Sequence, residues 1–300
     1  MNKKIVFLML LFLCILQVSV HAQALLKNKK QGIASNKNIV QRWELDSASK
    51  RGTFLLTSYK PFYITAGRWS SNPNQQPSSE NPAYSSSTPI QYNNYEAKLQ
   101  LSFKSKVLQS IFWGYGDLWV AYTQRAHWQI YNTEISRPFR ELNYEPELIL
   151  NFPLNIKVGG LMTRTIGVAF NHQSNGRELP LSRSWNRVMF HMSFENKHWQ
   201  LTLRPWIRIK DEEDENPMIT DYIGRGEATL VYDQGKHQFY LQATHSLAKS
   251  NRGSAQLNWV FPIRGNLRGQ LQISEGYGET LIDYNHRQTT VGLGISFVDW

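Results

Sequence analysis

The feature that most constrains the fold of this chain is a two-residue alternation of apolar and polar side chains. Between residues 95 and 104, the odd positions carry Tyr, Ala, Leu, Leu and Phe, whereas the even positions carry Glu, Lys, Gln, Ser and Lys. Residues 291–297 alternate Val, Leu, Ile and Phe with Gly and Ser. Because a strand points successive side chains to opposite faces and a helix does not, this period predicts β-strands.

The same pattern recurs along the chain and predicts twelve strands. Their approximate ranges are 54–64, 92–104, 115–130, 141–152, 162–175, 184–194, 197–209, 220–232, 236–246, 253–261, 267–277 and 289–299. Short connectors alternate with long polar ones. An even strand number, strands of about ten residues and this loop asymmetry are typical of outer-membrane barrels. We therefore expect an all-β fold, a twelve-stranded antiparallel transmembrane β-barrel. A secreted β-sandwich would give similar alternation and is the alternative.

Composition limits the other classes of protein. The hydrophobic content of 41% is too high for a disordered chain. The single cysteine, Cys14, excludes a disulfide framework or a cysteine-based zinc site. After residue 22, no apolar run approaches the roughly 20 residues that a spanning helix needs. The negative mean hydropathy agrees with a barrel, because the average includes a polar lumen. The net charge of +10 is assigned to the lumen and loops, and nucleic acid is not expected as a partner.

The N-terminus predicts export. Lys3 and Lys4 precede an apolar run that ends near Val20, and the sequence Ala-Gln-Ala follows at 22–24. This arrangement indicates a secretory signal peptide over residues 1–24, with a helical anchor as the alternative. Residues 25–50 lack alternation and are expected to form a periplasmic or barrel-associated segment. Residues 51–300 would then form the barrel domain.

Three polar side chains fall where a barrel should be apolar. His172 and Ser174 continue the outward row of the fifth strand, and Asn186 begins the outward row of the sixth. A hairpin centred on residue 179 places His172 opposite Asn186. Ser174 could attack an ester carbonyl with His172 as general base, and the Asn186 carbonyl oxygen could orient the imidazole. The alternative is that these residues are ordinary polar residues of a turn.

The sequence around these residues resembles that of a known family. It reads NHQSNGR at 171–177 and SRSWNR at 182–187, with further matches at 136–146, 276–279 and 283–285. Over roughly residues 50–299, the chain resembles outer membrane phospholipase A, of the bacterial phospholipase A1 family. The resemblance implies a calcium-dependent outer-membrane hydrolase of phospholipid and lysophospholipid acyl esters, active as a homodimer. These activities are those of a phospholipase A1, a phospholipase A2 and a lysophospholipase.

Site residues follow from the resemblance, position by position. Ser174 would be the nucleophile, His172 the base and Asn186 the orienting residue. The backbone N–H of Gly176 and a calcium-bound water would form the oxyanion site. The active site would face the outer leaflet.

Calcium ligands are implied in the same way. They would be the Arg177 carbonyl and the Ser182 hydroxyl of one subunit, with Ser136 of the other. Asp214, in the acidic run 211–215, is the best match to a further ligand, and a solvated acidic loop is the alternative for it. Position 179 is leucine where the family is expected to have an acid. A second calcium site is therefore in doubt unless Glu178 compensates.

A polar residue on another outward row suggests dimerisation. Gln124 lies among lipid-facing side chains and matches the dimer-interface glutamine of the family, although a tolerated rim residue is the alternative. Two alternatives for the whole protein remain at this point. One is a passive porin-like channel, against which the charged lumen rows argue. The other is a barrel with a structural or adhesive role.

Overall fold

The computed structural model describes residues 37–298 and 300, and in them twelve long strands form a closed antiparallel barrel. The predicted signal peptide and the first part of the 25–50 segment lie outside the described residues. The strands are β1 Leu56–Ser58, β2 Phe62–Ser70, β3 Tyr95–Leu108, β4 Asp117–Trp128, β5 Glu141–Val158, β6 Leu161–Ser174, β7 Ser184–Glu195, β8 Trp199–Ile209, β9 Gly226–Gln234, β10 His237–His245, β11 Gly253–Arg264, β12 Leu267–Tyr277 and β13 Arg287–Val298. Two short α-helices, α1 Ile39–Trp43 and α2 Ile219–Tyr222, and a 3-10 turn at Pro82–Tyr84 complete the elements.

Each strand from β2 to β13 pairs with its neighbours in sequence, and β13 pairs with β2 to close the barrel. The three-residue strand β1 also pairs with β3, next to the stretch that β2 occupies. Strands β1 and β2 together therefore fill one place in the barrel. The break between them contains Pro61, which has no N–H to donate to a ladder. The prediction of twelve barrel strands is confirmed, but the continuous strand predicted at 54–64 is wrong.

The connections alternate between the two ends of the barrel. The loop mouth is formed by residues 71–94, 129–140, 175–183, 210–225, 246–252 and 278–286. The turn mouth is formed by the short connections 109–116, 159–160, 196–198, 235–236 and 265–266. The predicted strand at 220–232 begins only at Gly226, because helix α2 occupies residues 219–222. None of the described helices is long and apolar enough to cross a membrane.

The outer wall of the barrel is apolar. The side chains of Val120, Ile166, Phe170 and Leu293, for example, remain 41–58% exposed along it, as expected of residues that contact lipid.

The lumen is filled by charged and polar side chains. Glu145 accepts from Lys60 Nζ at 3.1 Å, and the Glu147 carboxylate pairs with both Lys60 and Arg204. Near the loop mouth, Glu96 pairs with Arg68 and with Arg140 at 2.6 and 2.8 Å. The pairs of Glu145 and Glu147 connect β5 with Lys60, before β2, and with Arg204 on β8, whereas the Glu96 pairs lie between neighbouring elements. The lumen is therefore cross-linked.

One loop residue extends this network at the loop mouth. Glu279 Oε1 accepts from Lys98 Nζ at 2.7 Å and forms an ion pair with Arg68 Nη2 at 3.2 Å. Burial alone would raise the pKa of Glu279, but these two cations hold its pKa well below the usual range. The carboxylate therefore stays ionised and anchors the loop that follows β12.

Helix α1 lies against the lumen wall at the turn mouth. Asn38 caps it by accepting from the Gln41 N–H, and the Ile39 N–H donates to Glu195 Oε2 at 2.8 Å. The Trp43 ring stacks on His191 at 5.8 Å and lies 3.2 Å from Lys104 Nζ. This part of the N-terminal segment is therefore packed inside the barrel end.

Candidate active site

A row of polar side chains crosses the outer face near the loop mouth. Gln124 on β4 pairs with Tyr144 on β5, and Tyr144 pairs with Ser174 on β6. All three are half-buried and point outward, in line with the apolar rows below them. The predicted dimer residue and the predicted nucleophile therefore share one face of the barrel, two strands apart.

His172 and Asn186 meet across the β6–β7 ladder. They are direct partners in register, and His172 Nδ1 lies 2.8 Å from Asn186 Oδ1. An asparagine oxygen can only accept, so Nδ1 carries the proton in this contact. The opposite nitrogen, Nε2, is then left with a lone pair. Ser174 lies two residues from His172 on the same outward face of β6.

Gly176 lies just after β6 and has a left-handed backbone. Its φ is +62°, a conformation that L side chains rarely adopt. A Cβ at this position would lie 3.2 Å from Tyr144 Cε2. Both the backbone conformation and the Tyr144 ring therefore favour glycine at this position, two residues after Ser174.

The implied calcium residues lie in three loops of the loop mouth. Ser182 Oγ donates to Glu215 Oε1 at 2.8 Å, and Glu215 Oε2 is buried with no hydrogen-bond partner. Asp214 instead accepts from Arg208 Nη2 at 2.5 Å and from the Asn216 N–H. The acid in contact with Ser182 is therefore Glu215, whereas Asp214 holds its own loop together.

The other two implied ligands are held by their loops. The Arg177 N–H donates to Asn175 Oδ1, and its guanidinium donates to the Arg140 carbonyl at 2.8 Å. Trp128 Nε1 donates to the Ser136 carbonyl at 2.7 Å. Within residues 37–298 and 300, no hydrogen bond joins Ser136 to Arg177 or Ser182. These contacts order the loops that carry Arg177 and Ser136.

The oxygen chemistry of these loops fits a hard cation. No cluster of three or more His, Cys, Asp or Glu that could hold a metal occurs among the described residues. Hydroxyl and carbonyl oxygens with one or two carboxylates are, however, a donor set that calcium accepts. The unpartnered Glu215 Oε2 beside Ser182 is an oxygen of that kind, already desolvated and aimed at no protein donor.

Two acids of the 211–215 run contact site residues that the sequence did not connect with them. Glu215 contacts Ser182, and the Asp211 carboxylate accepts from Asn186 Nδ2 at 3.3 and 3.4 Å. The run is acidic in the sequence, but its side chains do not follow the strand period. Only the pairing of Asn186 with Ile209, the last residue of β8, would have pointed to Asp211 two positions later.

Comparisons with known proteins show which family this chain is similar to. Residues 39–297 match the family model described as phospholipase A1. The phospholipase A1 of Escherichia coli K12 is 38% identical over 204 residues, covering 68% of this chain and 70% of the relative.

Two solved structures extend the likeness to the fold. One is an active-site mutant of outer membrane phospholipase A from E. coli in which an asparagine is replaced by alanine. It has a TM-score of 0.74 at 32% identity, over 83% of this chain and 94% of that one. The other is the outer membrane phospholipase dimer of Salmonella typhi with bound calcium, with a TM-score of 0.73 at 33% identity, over 82% and 93%.

Proposed function

Because this chain belongs to the phospholipase A1 family and forms an outer-membrane barrel, we propose that Ser174, His172 and Asn186 carry out its phospholipase reaction. The observation that carries the proposal is the 2.8 Å contact between His172 Nδ1 and Asn186 Oδ1, made on the lipid-facing side of the wall next to Ser174. Polar groups in contact with lipid are costly, and an acyl substrate would be presented to this face.

The reaction follows from the hydrogen-bond roles. His172 Nε2 takes the proton of Ser174 Oγ as this oxygen bonds to the ester carbonyl carbon. Collapse of the tetrahedral intermediate breaks the ester bond, and the imidazolium returns its proton to the leaving alcohol. Water, deprotonated by the same nitrogen, then releases the fatty acid from Ser174. Asn186 keeps Nδ1–H in place through both steps without carrying a charge.

The negative charge on the former carbonyl oxygen needs donors. We assign the Gly176 N–H as one of them, because Gly176 follows Ser174 by only two residues and has a left-handed backbone. Calcium held by Arg177, Ser182 and Ser136, with Glu215 or Asp214 as the acid, would supply further positive charge to this oxygen when bound. The Ser182–Glu215 contact and the unpartnered Glu215 oxygen favour Glu215 over Asp214.

We also propose a homodimer with calcium at its seam. The S. typhi relative is a dimer with bound calcium, and Gln124 lies two strands from Ser174 on the same outer face. A second barrel packed on this face would bring its own Ser136 to the loops that hold Arg177 and Ser182. It would also enclose an acyl chain between two apolar walls.

The substrate range is part of the proposal. A site that opens sideways into the bilayer near the loop mouth would reach ester groups of the outer leaflet. Because it contacts the acyl side of the substrate and not a deep head-group pocket, it would cleave phospholipids at either position and lysophospholipids as well. Phospholipase A2 and lysophospholipase activities would therefore accompany the phospholipase A1 activity.

Purified wild-type barrel in detergent micelles tests the proposal by fatty acid release, with calcium or with a chelator. We expect calcium-dependent hydrolysis that Ser174→Ala lowers by at least about 10³-fold. Ser184→Ala is the matched control, because Ser184 is the direct cross-strand partner of Ser174 and also points outward. Heat-resistant gel mobility verifies that each barrel is folded. Equal activity of Ser174→Ala and Ser184→Ala would exclude Ser174 as the nucleophile.

A further inference from the structure

We infer that Asp211 is a positioning residue, whose carboxylate sets the orientation of the Asn186 amide and, through it, the tautomer of His172. The inference deepens the proposed function and rests on it. Asn186 Nδ2 donates to both Asp211 oxygens, at 3.3 and 3.4 Å, while Asn186 Oδ1 faces His172 Nδ1 at 2.8 Å.

The backbone register explains how Asp211 reaches this place. Asn186 on β7 is the direct partner of Ile209, the last residue of β8, and both point outward. Asp211 lies two residues farther along the chain. From the beginning of the 210–225 loop its carboxylate reaches Asn186 Nδ2. Across β6, β7 and the loop that follows β8, the side chains of His172, Asn186 and Asp211 therefore form one lateral line.

An asparagine beside the histidine needs a partner that fixes the orientation of its amide, whereas a carboxylate in the same place does not. The oxygen and nitrogen of an asparagine side chain have nearly the same shape, so either can face a histidine. If the nitrogen faced Nδ1, it would donate, and the proton would move to Nε2. The nitrogen that must accept the Ser174 proton would then be blocked. A carboxylate can only accept, so Asp211 draws Nδ2 to itself and leaves Oδ1 for His172.

The charge of Asp211 strengthens this selection. Asp211 is exposed at the loop mouth, while His172 and Asn186 are half-buried on the lipid-facing wall. Water weakens the exposed contact in part, but hydrogen bonds to an ionised acceptor are stronger than neutral ones. Because both contacts are longer than the roughly 2.9 Å of a short charge-assisted bond, we expect an effect on rate of about tenfold and not a complete loss.

The test is a double-mutant cycle in detergent micelles at saturating calcium, with a monomeric phospholipid as substrate. Asp211→Ala should lower kcat about tenfold and leave KM within about twofold, since the carboxylate orients the base and does not bind substrate. In the Asn186→Ala background, Asp211→Ala should cost nothing further, because it acts only through Asn186. Asp211→Glu should recover part of the lost rate.

Glu212→Gln is the matched control, since it removes the same charge from the next, exposed position of the loop. It should leave kcat unchanged. Equal losses from Asp211→Ala in both backgrounds, or a loss matched by Glu212→Gln, would overturn the inference. A raised calcium requirement in place of a lowered kcat would assign Asp211 to the metal site and also overturn it. If the wild type is active and Asp211→Ala leaves its kcat unchanged, this inference alone is wrong. If the folded wild type is inactive, the proposed function is wrong and the inference with it.

Discussion

Gly176 shows how a single residue connects the backbone to the proposed chemistry. Its positive φ and the nearby Tyr144 ring both disfavour a side chain, and its amide is the one that we assign to the oxyanion. Gly159 has a similar φ of +55° in the β5–β6 turn, but nothing lies within 4 Å of a Cβ built on it. The two positions differ in crowding and in distance from Ser174.

Gly176→Ala should therefore lower kcat by about 10- to 100-fold, because a displaced oxyanion donor loses much of its effect. The barrel should remain folded. Gly159→Ala imposes the same left-handed strain, about 1–2 kcal/mol, far from the site and should leave kcat unchanged. Steady-state hydrolysis of the two purified variants checks this, and equal activities would remove the oxyanion role of Gly176.

At the scale of the strands and helices, most of the barrel could be predicted from alternation alone. The outward rows of β6 and β7 and the pairing of His172 with Asn186 follow from the two-residue period and the centre of one hairpin. Two elements did not follow. Pro61 interrupts the first barrel strand, and helix α2 replaces the start of a predicted strand. A stretch as short as 219–223, with isoleucine at both ends, fits a helix or a strand equally well.

The loops mark the limit of this reasoning for the site. Because loop side chains follow no period, the sequence could not say that Glu215 contacts Ser182 while Asp214 pairs with Arg208. Resemblance alone selected Asp214. The contacts of the folded loop were needed to distinguish two acids that are adjacent in the chain.

Helix α1 supports a prediction about stability. Trp43 packs edge-on against Trp119 at 5.7 Å, stacks on His191 and covers the ammonium group of Lys104. Trp43→Ala should lower the free energy of unfolding by about 2–3 kcal/mol, below the value for a fully buried tryptophan because Trp43 is half-buried. Gln41→Ala, on the exposed side of the same helix, should have little effect. Denaturant unfolding in micelles measures both, and equal midpoints would show that α1 does not stabilise the barrel.

For the whole molecule, the ion pairs of the lumen distinguish an enzyme from a channel. Lys60, Glu145, Glu147 and Arg204 connect opposite walls, and α1 lies at the turn mouth. We expect wild-type protein in planar lipid bilayers to give no steady ion conductance. A reconstituted general porin provides the positive control. Steady open-channel currents from this chain would favour the porin-like alternative.

Self-association is the second property of the whole molecule. Gln124 is half-buried on the face that carries Ser174, and Tyr122 donates to its side-chain oxygen at 3.2 Å. Gln124→Ala should weaken calcium-dependent dimerisation by about three- to tenfold, in keeping with the modest strength of hydrogen bonds in membranes. Leu257→Ala, a change on the outward row of β11, should leave dimerisation unchanged. Sedimentation equilibrium in detergent compares them, and an unchanged dimer constant for Gln124→Ala would remove its interface role.

Covalent trapping of the nucleophile tests the central claim most directly. Wild-type barrel in micelles with calcium is treated with a lipid-tailed fluorophosphonate, and the labelled residue is mapped by mass spectrometry of its peptides. We predict one modified serine, Ser174, with labelling slowed by at least about 10²-fold in His172→Ala, which lacks the general base. Modification of a different serine, or equal labelling rates in wild type and His172→Ala, would contradict the account.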